Sequence, residues 1–368
     1  MTERFFHAYL SGHKPFKNYW NYEDGCLLLG CKRMFEATGR AEYAEFVLRY
    51  LSQRVEPDGV IPSYLTDAYS LDSFNCGKTL FFAAELTGEE RYRKAADRLA
   101  EQIRSHPRTP SGCCWHKRIY PDQVWIDGIY MAAPFFAEYA AVTGDDRMLP
   151  EIEHWFDVAE AHLRDPESGL YYHALDEARV QAWADPKTGL SPSHWLRAEG
   201  WYLMALYDTA ALLPEQCTAL RGKLHDALRN ACEALLPYRT ENGLYLQVID
   251  RKDVPENYEE TSGSLMAAYA MIQGASAGIL DADFYQAGVT TLDAVLTRHL
   301  VQTPSGSSLT GICSAAGLGG IPHRDGTCAY YLSEPVTADD PKGVGALMLT
   351  EAAKRTAQHT VNLRRSAV

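Results

Sequence analysis

The chain has 368 residues with a formal net charge of −13, 46% hydrophobic and 23% charged residues, the balance of a globular protein with material for a large core. No apolar run approaches the roughly 18 residues of a membrane span, and so acidic a chain disfavours a broad nucleic-acid surface. The first residues, Met1-Thr2-Glu3-Arg4-Phe5-Phe6-His7, lack the basic start and apolar stretch of a secretion signal, so a cytoplasmic location is expected. The nine cysteines contain no Cys-x-x-Cys pair and are expected to be reduced, mostly buried thiols.

In chain order, a glycine recurs ahead of an apolar helical stretch. Gly25, Gly77, Gly128, Gly200, Gly263 and Gly343 stand at intervals of 52, 51, 72, 63 and 80 residues. Each interval holds a second, more amphipathic segment, such as Ala41–Leu48 or Tyr92–Leu99, with apolar residues at three- and four-residue steps. A helix that is apolar nearly all round must be buried, and one with a single apolar stripe covers it. Six such pairs predict an all-α (α/α)6 barrel, a closed six-hairpin toroid, with residues 1–368 as one catalytic domain. Thr38-Gly39, Thr87-Gly88 and Thr143-Gly144 read as repeated helix ends with a left-handed glycine. Gly169–His173 and Gly243–Val248 alternate like hairpin strands and are expected as short β excursions at the rim.

If the inner helices start at one end of the ring, the residues before each glycine line a mouth. They include Tyr22, Asp72, His116, Lys117, Trp125, Asp127, Trp195, Arg197 and Glu199. Aromatic faces stack on sugar rings and carboxylates move protons. Lys117 and Arg197 among helix N-termini suit an anionic group on that sugar. Asp127 and Asp72 could equally be helix caps. Trp195 and Trp201, six residues apart, need not share a face. His154 and His162 lack a third ligand at metal spacing, so no metal and no cofactor is expected.

Several strings resemble glycoside hydrolase family 105, the unsaturated rhamnogalacturonyl hydrolases, related to the family 88 unsaturated glucuronyl hydrolases. They are Trp125–Met131, Trp195–Tyr202, Glu260–Ser264, Leu71–Lys78, Trp115–Lys117, Gly169–His173, Tyr330–Val336 and Lys342–Gly345. The match runs in order from about Trp20 to Gly345. That resemblance implies an (α/α)6 barrel and a substrate ending in a Δ4,5-unsaturated uronic acid, an anionic oligosaccharide left by a lyase. It also implies hydration of a vinyl ether instead of ordinary two-carboxylate glycoside hydrolysis. Asp127 would be the acid, with Asp72 as the supporting carboxylate. Tyr22, His116, Lys117, His173, Trp195, Arg197 and Trp201 would surround the sugar, with Arg197 or Lys117 meeting its carboxylate. Two close carboxylates would raise one pKa, against the pull of the helix N-terminus. Glucuronyl ends of glycosaminoglycan or ulvan fragments are alternative substrates. A sugar epimerase on the same toroid would depend on paired histidines, and a sugar-binding toroid would need no Asp127 and Asp72 together.

Overall fold

A computed structural model describes residues 2–304 and 306–366. Its helices are α1 (Thr2–Gly12), α2 (Tyr22–Thr38), α3 (Ala41–Ser52), α4 (Phe74–Gly77), α5 (Leu80–Thr87), α6 (Glu90–Gln102) and α7 (Ile126–Thr143). They continue as α8 (Leu149–Val158), α9 (Leu196–Leu212), α10 (Thr218–Leu235), α11 (Thr261–Ser276), α12 (Ala282–Arg298), α13 (Cys328–Ser333) and α14 (Pro341–Ser366). The inner ring runs α2, the broken helix α4–α5, α7, α9, α11 and α14, and α14 packs back on α2 to close it. Outside it, α3, α6, α8, α10 and α12 each cover the inner helix that precedes them. Helix α1 is tied to α14 and to the start of α3 through Glu3, which pairs with Arg355 and Arg40, both at 2.8 Å.

The burial pattern follows the sequence logic. In α9 and α11 nearly every residue of the first three turns is buried. In α6 only the stripe Tyr92, Ala95, Ala96, Leu99 and Gln102 is. The three Thr-Gly ends share one geometry. Gly39, Gly88 and Gly144 take φ of 67°, 71° and 74°, and each threonine hydroxyl donates to the carbonyl four residues back, at 2.6–2.7 Å.

The recurring glycines do not precede the inner helices; they lie in or beside the first turns. They are close-approach points. A Cβ on Gly25 would sit 2.7 Å from the Cys76 nitrogen and one on Gly343 2.5 Å from the Ile312 side chain, and Gly345, two residues on in α14, comes as near, with 2.4 Å to the Cys26 carbonyl oxygen of α2. One on Gly200 would meet Met266 of α11 at 2.8 Å. The second inner helix also differs from expectation, since it breaks at Lys78-Thr79. There the buried Lys78 ammonium turns inward to the Asn75 side chain (2.9 Å) and the Tyr130 carbonyl (2.6 Å).

Gly169–His173 and Gly243–Val248 contribute isolated bridges instead of hairpin strands. The regular pairs are β1 (Gln123–Trp125) with β2 (Ala174–Asp176), β3 (Leu300–Thr303) with β4 (Gly306–Leu309), and β5 (Ile312–Cys313) with β6 (Val336–Thr337), all antiparallel. All nine cysteines are unbridged and seven are buried. No helix among the described residues is long and apolar enough to cross a membrane.

Candidate active site

The β1–β2 ladder brings the first part of the site together. Trp125 pairs with Ala174, and the Ile126 nitrogen donates to the His173 carbonyl at 3.1 Å. Asp127, the second residue of α7, therefore faces His173, which immediately precedes β2. His173 Nε2 lies 3.1 Å from Asp127 Oδ2, and His173 Nδ1 lies 2.7 Å from the Tyr331 hydroxyl. His173 is fully buried; Asp127 keeps 15% of its side chain exposed.

The other carboxylate stands apart. The Leu71 nitrogen donates to the His116 carbonyl (3.0 Å), which places Asp72 beside His116, with Oδ1 3.5 Å from Nε2. Asp72 Oδ2 is ion-paired to Lys117. His116 in turn stacks on Trp125 at 4.8 Å and 7°, and a Cβ on Gly128 would sit 2.8 Å from its Nδ1. Each acid thus faces its own histidine, Asp127 against His173 and Asp72 beside His116. Burial works to raise the pKa of Asp127, but the charge and hydrogen-bonding capacity of His173, then His116 and its own helix-start N–H, leave it lowered. Burial drives the His116 imidazole down to about 4 despite Asp72. Lys117 goes the other way. Burial disfavours its charge, and the Asp72 carboxylate more than offsets that.

Across the mouth, Arg197 occupies the second position of α9 and is 1% exposed. Its Nη1 donates to the Cys313 carbonyl (2.5 Å) and to Ser262 Oγ (3.1 Å). Its guanidinium lies 5.0 Å from the Trp195 ring. Burial opposes its charge, and Cys313, Glu260 and Tyr22 nearby keep it firmly protonated. Among the described residues no carboxylate oxygen lies within 4.0 Å of it. Glu260, the nearby buried acid, is already engaged as the cap of α11. It accepts from the Ser262 and Gly263 nitrogens (3.1 and 2.6 Å) and from the Cys313 nitrogen (3.0 Å). Arg197 is therefore a buried cation with spare donors and no direct countercharge.

Trp195 packs on His173 (4.7 Å) and on Tyr331 (5.6 Å, 15°), and its indole N–H is buried with no partner among the described residues. Tyr22 opens α2, and its carbonyl accepts from Asn75 Nδ2 at 2.9 Å. Trp201 lies one turn beyond Arg197 and stacks on Tyr130 (4.8 Å, 18°), deeper in the ring than the Asp127–His173 pair. Tyr22, Asp72 and Lys117 also line a cleft of about 480 Å3 beside the mouth, with Leu65 and Ile119 at its rim. Two further aromatics complete the site: Trp125, which the sequence stations at the mouth, and Tyr331, to which the sequence alone assigns no role. Trp125 stacks against both His116 and Tyr120 and meets His173 edge-on at 5.0 Å; Tyr331 holds the far side of His173. Both sit in strings that carry the family resemblance, and only the fold shows that they touch His173.

A closed six-hairpin helical ring with acids, imidazoles and indoles at one mouth is the frame of a glycoside hydrolase. The model for Glycosyl Hydrolase Family 88 matches residues 1–356, and the chain belongs to that family, within the grouping of families 88 and 105. A solved family 105 glycoside hydrolase from Clostridium acetobutylicum ATCC 824 is 36% identical. It covers 96% of this chain and 99% of its own, with a TM-score of 0.92. The unsaturated rhamnogalacturonyl hydrolase YesR of Bacillus subtilis is 28% identical over 75% of this chain and 76% of its own length. The unsaturated glucuronyl hydrolase of Bacillus sp. GL1 shares the fold at 15% identity and a TM-score of 0.68, over 92% and 87% of the two chains.

Proposed function

We propose that this enzyme, with residues 1–368 as one catalytic unit, removes a Δ4,5-unsaturated uronic acid from the non-reducing end of an oligosaccharide, preferring unsaturated galacturonyl-rhamnose. The observation that carries the reading is the Asp127–His173 pair joined through Trp195 to a buried Arg197 with no carboxylate within 4.0 Å among the described residues. Arg197 binds the uronate carboxylate, because a fork of N–H donors in a dry site matches that group. Lys117, already held by Asp72, has less to offer it. Trp195 presents its free indole N–H, and Trp201 and Tyr22 shape the floor and the near wall.

Asp127 protonates carbon 4 of the vinyl ether, charge develops at carbon 5, and water adds there as Asp127, again a carboxylate, takes the proton that the water loses. The hemiketal then opens and the shortened sugar departs. In the free enzyme Asp127 is held ionised, so the proton must come from the pair it forms with His173. Entry of the sugar expels water from the carboxylate, which raises its proton affinity when the donor is needed. Asp72 acts through His116 and Lys117, fixing the imidazole and the ammonium beside the substrate.

The cleft supports a neutral leaving sugar. Each of its three basic residues already faces a carboxylate: Lys17 meets Glu23 at 2.6 Å, Lys117 meets Asp72, and Arg118 lies 3.7 Å from Asp67. Its rim carries Leu65 and Ile119, 65% and 73% exposed. A methyl-bearing deoxy sugar fits those walls, whereas a sulfated one finds no spare cation.

The double bond conjugated to the carboxylate absorbs in the ultraviolet, and hydration abolishes that signal. Wild-type enzyme should erase it on unsaturated galacturonyl-rhamnose, and Asp127→Asn should be slower by at least about 10²–10⁴-fold. Retention of the signal by wild type on rhamnogalacturonan, glycosaminoglycan and ulvan fragments alike would refute the reading.

A further inference from the structure

Tyr331 lies on the short helix α13, remote in sequence from the pair it completes. Its hydroxyl is 2.7 Å from His173 Nδ1, and Nε2 of the same ring is 3.1 Å from Asp127. Tyr331 and His173 are both fully buried. The phenol ring is fixed by its stack on Trp195, by Gln247 Nε2 donating to its carbonyl at 3.3 Å, and by its own nitrogen donating to Thr327 at 3.0 Å. Burial pushes the phenol far above its ordinary pKa, so it stays O–H and can either donate or accept.

We infer that Tyr331 is a positioning residue that couples the protonation of the Asp127–His173 pair to the direction of its own hydroxyl. The inference rests on Asp127 being the proton donor. When the pair carries only the imidazole proton, the phenol donates to Nδ1 and leaves Nε2–H facing the carboxylate. When the pair carries one proton more, Nδ1 bears hydrogen and the phenol turns to accept it. One side chain thus satisfies Nδ1 in both states, while Nε2 keeps its 3.1 Å contact with the carboxylate.

Removing the hydroxyl strands Nδ1 in both states, but the loss is larger where Nδ1–H belongs to a cationic ring. The proton should then leave the pair at lower pH. The other titratable groups facing this triad are His116, with Asp72 and Lys117 behind it, and Tyr330, Cys313 and Arg324 beside the phenol. Tyr331→Phe changes none of them.

The experiment is 15N-histidine NMR on the full chain without substrate, with His173 assigned by difference against His173→Gln. Neutral His173 in the wild type should be the Nε2–H tautomer, and in Tyr331→Phe its titration should fall by about half to one pH unit. An Nδ1–H tautomer in the wild type, or an unmoved titration in the variant, overturns the inference. If the variant does not fold, the wild-type tautomer alone decides. In the kinetic arm, the alkaline limb of kcat/KM should move down by the same amount while KM changes less than about twofold. A raised KM with an unmoved pH profile would make Tyr331 a substrate contact and overturn the role. The spectroscopic arm uses no sugar, so it stands even where the substrate reading fails.

Discussion

Arg197, His116 and His106 can each be tested one side chain at a time. Arg197 is desolvated, donates to a carbonyl and a hydroxyl, and lacks a carboxylate partner among the described residues. Replacing it by Lys keeps a charge but loses the fork. KM for the unsaturated disaccharide should rise about tenfold, from the roughly 1.5–3 kcal/mol of a hydrogen bond to a charged group, with kcat within about threefold. An unchanged KM would remove Arg197 from the carboxylate site. His116 and His106 are both depressed to about 4, burial being the first cause in each. Their unfolded value is about 6.5, so between these limits the unfolded chain binds more protons and stability must rise with pH. The contribution is complete above about 6.5 and is lost as pH falls through the folded value. Glu199, whose carboxyl burial pushes up to about 8, binds its proton in the folded state and pulls the other way, but below about pH 6 the two imidazoles outweigh it, so urea midpoints should drop from about pH 6 to 5. A flat midpoint there would contradict neutral buried imidazoles.

Glycine means different things in the inner and outer helices. Gly345 belongs to an inner helix pressed against its neighbour, where a Cβ would lie 2.4 Å from the Cys26 carbonyl oxygen. Backbone cannot yield cheaply, so Gly345→Ala should cost about 1–3 kcal/mol and lower Tm by several degrees. Gly222 lies on the exposed side of the outer helix α10, where a Cβ would meet nothing within 4 Å. Gly222→Ala should stabilise by about 0.5–1 kcal/mol through helix propensity alone. Calorimetry on the two variants should give shifts of opposite sign. Shifts of the same sign would mean that helix proximity is not what the inner glycine serves. The β1–β2 ladder is the other element with an outsized effect, because three paired residues set Asp127 against His173.

The ring as a whole arranges function by bringing the N-terminal turns of its inner helices to one mouth. The acidic molecule, at −13, then binds an anion only where buried cations override its surface. In the neighbouring cleft the cations are spent on carboxylates. The enzyme should therefore prefer unsaturated galacturonyl-rhamnose over a sulfated glycosaminoglycan disaccharide by at least about tenfold in kcat/KM, or about 1.4 kcal/mol. Competition between the two substrates, followed by product chromatography, measures the ratio directly. A preference for the sulfated sugar would show that the leaving group does not occupy this cleft.

Helical repetition, the inner and outer alternation and the Thr-Gly ends were legible in the amino-acid order, because each is a local pattern of period or cap. The acids and imidazoles were legible too, as polar residues stationed before buried helices. Partnerships were not. Asp127 and Asp72 look like a pair in one dimension, yet in three dimensions Asp127 faces His173, which holds its pKa low, and Asp72 faces His116 and Lys117. Lys117 and Arg197 look alike as cations, but only the fold shows that one is already matched and the other is not. Tyr331 reaches His173 across 158 positions of chain. Local order sets which groups are available, whereas burial and long-range contact decide their protonation and their partners, since electrostatics acts through space and not along the chain.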